Sequence, residues 1–270
     1  MRVALISDIH NEFIHQGNGD LSEVPDLHLA NQKVDVIVLA GDIDIKTYGV
    51  DWAIRQSEIF NLPVIYVAGN HEFYKGRFVE NNDEMKALAS GTDVHILDNE
   101  SIIIDGVRFI GGTLWTDYAL FGQDRAEELM TYAEYRMNDY QAIKLSLSGY
   151  GNRKVRPQDL KRWHDYTVNF IENKLAEKYE GKTVVVTHHA PLMQSVAETE
   201  REDLLSANYA SDLSELIEQH QPDYWLHGHI HHKNVYRHGE TVVISHPRGY
   251  PHIQDKPRLG YKPMVVVIEQ

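Results

Sequence analysis

The chain has 270 residues with no cysteine, 42% hydrophobic and 24% charged, a globular composition with enough apolar material for a full core. Without cysteine there are no disulfides and no thiolate ligands, so any metal must be held by oxygen and nitrogen. The formal net charge of −14 opposes general attraction to nucleic acid or anionic membrane; with no apolar run near a membrane span and no signal-peptide pattern at Met1, the expected location is the cytoplasm.

From the N-terminus, residues 2–7 form an apolar run ending at Asp8-Ile9-His10-Asn11. That is the form of a buried strand delivering ligand-type side chains at its carboxyl end. In extended geometry Asp8 and His10 share a face, although Asp8 alone fits a helix cap or turn equally well. Residues 33–40 repeat the pattern and lead to Gly41-Asp42-Ile43-Asp44. Helical spacing over 49–60 directs Trp52, Ile54 and Ile59 inward. A third strand over 62–68 ends at Gly69-Asn70-His71-Glu72. Helix-linked parallel strands place three such ends along one sheet edge.

A helix over 77–89 and short strands over 94–97, 101–105 and 107–112 follow, with a hairpin turn at Asp105-Gly106. Residues 120–178 read as a helical excursion within a single domain spanning 1–270. Its first part, 124–147, is largely helical in pattern, and there Met137-Asn138-Asp139-Tyr140 fits a solvated helix better than a site wall. The second part, 157–179, is amphipathic, with Leu160, Trp163, Val168, Ile171 and Leu175 inward. A strand over 183–186 leads to Thr187-His188-His189-Ala190-Pro191, where Pro191 favours a loop.

After a helix over 212–219, an apolar strand end breaks at Gly228 and the chain presents His227, His229, His231 and His232. Neutral imidazole is a common metal ligand. The cluster is internal, unlike a purification tag, and metal binding is favoured over a polar loop. A turn at Gly228 leaves His229 and His231 able to enter one cavity. Strands over 235–237 and 241–245 precede Pro247-Arg248-Gly249-Tyr250, and a final strand covers 264–269.

Taken in order, Asp8-Ile9-His10, Gly41-Asp42, Gly69-Asn70-His71-Glu72, Thr187-His188-His189 and Gly228-His229-Ile230-His231 resemble the signature of the calcineurin-like metallophosphoesterases. Leu114-Trp115-Thr116-Asp117, Met137-Asn138-Asp139-Tyr140 and Pro247-Arg248-Gly249-Tyr250 resemble, more weakly, a bacterial and phage subgroup of phosphohydrolases. The resemblance implies an α/β fold, a four-layer α/β/β/α sandwich of two mixed β-sheets with metals at the strand carboxyl ends. It implies Asp8, His10, Asp42 and His231 around one metal, and Asp42, Asn70, His188 and His229 around a second, with Asp42 bridging. His71 then lies just outside the metals as a catalytic residue available to the leaving group or to a phosphate oxygen, with Asn70 and His71 contacting substrate. Arg248 suits a surface ion pair as well as a phosphate grip. His189 and His227 have no ligand role in the pattern. Many members carry an Asp three residues after the bridging one, which orients the histidine of Gly-Asn-His. Here that position is Ile45, so either Asp44 orients His71 or another group does.

Two buried carboxylates such as Asp8 and Asp42 resist ionisation unless cations compensate. Carboxylate, amide and imidazole donors suit two divalent ions such as Mn, Fe, Zn or Co. Ions about 3.5–4 Å apart can clamp a phosphate and share a water whose pKa falls toward about 7, so in-line hydroxide attack needs no protein nucleophile. The expected activity is hydrolysis of a phosphate ester of a small molecule. A phosphodiesterase or nuclease acting on cyclic nucleotides or nucleic acid is the second reading, because Lys144, Arg153, Lys154, Arg156, Lys161 and Arg162 could form a basic patch. A non-catalytic scaffold is the third, but such a chain would lack ligands, and here every motif position is filled.

Overall fold

The computed structural model describes residues 1–29, 32–147, 151–250 and 261–269. In chain order the elements begin with β1 (Arg2–Ile6), β2 (Val36–Ala40), helix α1 (Tyr48–Phe60), β3 (Val64–Val67), helix α2 (Phe78–Ala89) and β4 (Val94–Ile96). The hairpin of β5 (Glu100–Ile104) and β6 (Val107–Gly112) follows, then α3 (Ala126–Arg136), α4 (Asp139–Ala142), β7 (Lys144–Leu147), β8 (Gly151–Lys154) and α5 (Pro157–Ala176). The last third holds β9 (Lys182–Thr187), α6 (Ser214–His220), β10 (Tyr224–His227), β11 (Asn234–His238), β12 (Thr241–Ser245) and β13 (Met264–Val267).

Among the described residues these strands form a five-stranded sheet, β13-β1-β2-β3-β4, and a six-stranded sheet, β11-β12-β10-β9-β6-β5. β1 to β4 run parallel, as do β12, β10, β9 and β6, with antiparallel strands at the edges, so both sheets are mixed. Apolar runs buried on both faces become the central strands β1, β2, β3, β6 and β9, and the edge strands are partly exposed. The alternation of side chains along each strand assigns the layers. Val36, Val38 and Ala40 of β2 face Val184 and Val186 of β9, Phe109 and Leu226 across the inter-sheet core. Ile37 and Leu39 point the other way, into a core shared with Val50, Trp52 and Ala53 of α1 and Met85 of α2. On the far side, Val185, Trp225 and Val243 pack against Ile171 of α5 and Ile217 of α6. The result is the four-layer α/β/β/α sandwich.

Two local expectations change. Residues 144–147 form a strand paired antiparallel with β8, because Lys-Leu-Ser-Leu alternates with period two, a signal the helical reading of 124–147 passed over. Ile59 is 51% exposed, because it sits in the last turn of α1 at the margin of the buried face, two turns beyond Trp52. Helix α5 begins as its sequence directs, with Pro157 in the first turn and Asp159 accepting the Arg156 N–H at 2.9 Å. Among the described residues, no helix is long and apolar enough to cross a membrane.

Candidate metal centre

The site lies where the carboxyl ends of β1, β2 and β3 in one sheet meet those of β9 and β10 in the other. Backbone hydrogen bonds lock the loops together: Asp8 N–H to Gly41 O at 2.9 Å and His10 N–H to Asp42 O at 3.0 Å. Gly41 has φ +86°, and a Cβ there would lie 2.2 Å from His188 Nδ1 and 2.8 Å from the Gly69 backbone, so only glycine fits. Five of the seven predicted ligands are left-handed: Asp8 (53°), His10 (53°), Asp42 (54°), His229 (68°) and His231 (44°). The sequence reading assumed extended geometry for Asp8 and His10. Left-handed turns instead re-aim each side chain inward, at a cost of about 1–3 kcal/mol per residue that the surrounding packing must sustain.

Glu72 supplies part of that constraint. Its buried carboxylate accepts the N–H groups of Asp42 (3.0 Å), Ile43 (2.8 Å) and Gly69 (2.7 Å) and the Tyr66 hydroxyl (2.7 Å), clipping the β2 and β3 loops together. Burial, with the Asp42 charge adding to it, pushes the Glu72 carboxyl up to about 7.

All seven predicted ligands converge. Asp8, His10 and His231 bring donor atoms within 4.8 Å of one another, as do Asp42, His188 and His229. His10 Nε2 lies 3.0 Å from His231 Nε2 and 3.8 Å from Asp42 Oδ2, and His231 Nε2 is 3.3 Å from Asp8 Oδ1. In the second group His188 Nε2 faces Asn70 Oδ1 (3.1 Å), His229 Nδ1 (3.1 Å) and Asp42 Oδ1 (3.4 Å). Nδ1–H of His188 is committed to the Ala40 carbonyl at 2.9 Å, and the Asn70 amide nitrogen donates to Asp139 at 2.9 Å. Carboxylate, amide and imidazole atoms therefore converge on common points, and cations fit such a set. On the protein's own charges, burial opposes protonation of His188, yet the Asp42 carboxylate outweighs it and lifts the imidazole to about 9.

His71 stands beside both groups, with Nε2 3.9 Å from Asp42 Oδ2. Its orienting partner is not Asp44, which pairs with His15 at 2.8 Å. Nδ1 of His71 instead meets Glu12 Oε1 at 2.7 Å. Burial alone would lower His71, but Asp42 and Glu12 raise it to about 9. Sequence reasoning missed Glu12; its one signal was a carboxylate two residues after His10.

The Met137–Tyr140 stretch, read from sequence as solvated, is the clearest correction. Asp139 and Tyr140 are buried, and Asp139 Oδ1 accepts from both Asn70 and the Tyr74 hydroxyl, the latter at 2.6 Å. Those bonds hold the Asn70 amide with its oxygen toward His188. The aromatic and acidic pair in that stretch was a signal that polarity alone obscured. His189 and His227 are buried beside the site, bonded to the Thr113 carbonyl and to Ser195 respectively.

A cavity of about 350 Å³ opens onto the donors, lined among others by Asn70, His71, Tyr74, Arg136, Tyr209 and Tyr250. Asn70 and His71, expected from the sequence to contact substrate, both line it. Arg248 is not among its lining residues; its Nη1 reaches the Ile9 carbonyl at 3.4 Å, and the loop is pinned by Arg248 N–H to Ser7 O.

Known proteins resemble the chain in sequence and in fold. Over 92% of its length the chain is 25% identical to uncharacterized protein L509 of Acanthamoeba polyphaga mimivirus, covering 90% of that protein. The solved phosphopantetheinyl hydrolase of Mycobacterium tuberculosis shares the fold, with a TM-score of 0.70 at 16% identity over 99% of this chain and 96% of that one. The profile of the calcineurin-like phosphoesterases matches residues 1–233, a span that takes in every converging aspartate, asparagine and histidine described above. The chain belongs to the calcineurin-like phosphoesterase family.

Proposed function

We propose that the protein is a dinuclear metal-dependent phosphoesterase that hydrolyses a phosphate ester of a small molecule. The observation that carries this reading is the set of donor groups Asp8/His10/His231, His10/Asp42/His71 and Asp42/His188/His229, the last two sharing Asp42. In it, Asp8, His10, Asp42 and His231 hold one ion, and Asp42, Asn70, His188 and His229 hold the other. Bound there, two divalent ions of the Mn, Fe, Zn or Co type supply positive charge against phosphate oxygens and acidify water. The chain's own residues do the rest. Asp139 presents the Asn70 oxygen, and Glu12 holds His71 through Nδ1, so that a protonated His71 can donate from Nε2 to a leaving alkoxide. Tyr74, stacked on His71 at 4.3 Å, restricts the ring to that duty.

A small substrate suits the cavity volume and the acidic surface. In the alternative patch for a nucleic-acid phosphodiesterase, Arg153 is paired with Asp159 and Lys161 with Asp165, which neutralises part of it. Metal analysis, followed by comparison of an aryl phosphate monoester with a bis-aryl diester in Mn(II), tests the reading. We expect two ions per chain and faster monoester hydrolysis. A diester-only profile rejects the monoesterase, and two bound ions with no hydrolysis of either ester favour the scaffold.

A further inference from the structure

Resting on the metal-centre reading above, we propose that Glu12 is the positioning residue that ties one metal position to the outer histidine, one carboxylate oxygen holding His10 and His71 at once. Oε1 lies 3.1 Å from His10 Nδ1 and 2.7 Å from His71 Nδ1. An acceptor shared by two Nδ1–H donors fixes the rotation of both rings and sends both Nε2 atoms the same way, to 3.8 and 3.9 Å from Asp42 Oδ2. The faces of the rings are already confined, His71 by Tyr74 at 4.3 Å and His10 by Tyr250 at 4.4 Å. In-plane rotation is what remains, and Glu12 sets it.

The local backbone explains why a residue so close in sequence can do this. His10 is left-handed, which folds the chain back into the short turn Asn11–Phe13. That turn is anchored by Asn11 N–H to Ile43 O at 2.9 Å and by Gly17 N–H to Glu12 O at 2.9 Å. Glu12 therefore returns to the ring two residues before it. The other nearby carboxylates are committed elsewhere: Asp44 to His15 and the Ile45 N–H, Glu72 to backbone amides, Asp139 to Asn70 and Tyr74. His188 is fixed by the Ala40 carbonyl, so the second donor group is outside the grip of Glu12.

The test compares wild type with Glu12→Gln, Glu12→Asp and Asp44→Asn. Mn(II) titration calorimetry reads the two affinities, and long-range proton–nitrogen spectra of the zinc-loaded protein read the imidazole tautomers. Glu12→Gln should weaken one Mn(II) site about 10–100-fold and leave the other nearly unchanged. It should also shift the His10 and His71 nitrogen signals together and lower kcat with little change in KM. Glu12→Asp, which keeps the charge at shorter reach, should lose less, and Asp44→Asn should spare both sites. Equal weakening of both sites, unmoved His10 and His71 signals, or an Asp44→Asn protein that reproduces Glu12→Gln would each overturn the proposal. Should wild type take up no Mn(II), the function proposed above fails instead. The nitrogen spectra of the metal-free proteins then still decide whether Glu12 holds both rings.

Discussion

Asp42 is the residue on which most of the contacts converge. Its Oδ1 faces His188 and accepts the His71 N–H at 2.9 Å, while its Oδ2 faces His10 and His71. Burial would raise its carboxyl, but His188 and His71 hold it well below the usual range. Asp42→Asn removes the shared charge, so turnover should disappear and metal content fall below two ions per chain, as measured by elemental analysis. His71 touches Asp42 and forms a donor group with it and His10, yet the proposed function leaves it out of both ligand sets. Its replacement by Ala should cost about 10²–10⁴ in turnover, the usual worth of a positioned acid, with metal content unchanged. Metal loss in that variant would show that His71 is a ligand.

At the scale of elements, the strand ends matter more than the strands. β1, β2 and β10 each give way to a left-handed residue or glycine within two positions, and those turns aim Asp8, Asp42 and His229. Gly41→Ala would drive a Cβ into His188 and the Gly69 backbone. Neither is a flexible end that can move aside, so the variant should lose about 2–4 kcal/mol by urea denaturation and bind metal poorly. Helix α4 teaches the opposite lesson. A four-residue helix with a polar sequence looks solvated, yet Asp139 reaches Asn70 across 69 residues of chain.

For the molecule as a whole, the proposed ions and the buried titratable groups both bear on stability. If two ions bind only the folded chain, each present at about a hundred times its Kd stabilises it by about 2.7 kcal/mol. Chelation should therefore lower the melting temperature, and Mn(II) should restore it. Buried His164, bonded through Nδ1 to the Trp115 carbonyl at 3.4 Å, is held below the ordinary histidine value chiefly by burial. The unfolded chain then binds the extra proton more readily, so stability falls as pH drops through 6.5 toward the lowered folded value. His164→Asn should flatten the dependence of the urea midpoint on pH across that window. An unchanged slope would assign the acid sensitivity to other groups.

The sequence by itself determined the candidate donor residues, their order and the strands that carry them, because apolar runs ending in Asp, Asn or His are local patterns readable one segment at a time. The four-layer sandwich came through the resemblance of those motifs to a known family, since a continuous run such as that of β2 says only that both of its faces are buried. Only the tertiary structure decided which carboxylate serves which imidazole. Glu12 rather than Asp44 meets His71, and Asp139 meets Asn70, because hydrogen bonds depend on distances of a few tenths of an ångström between segments far apart in the chain. No spacing rule along one strand contains that information.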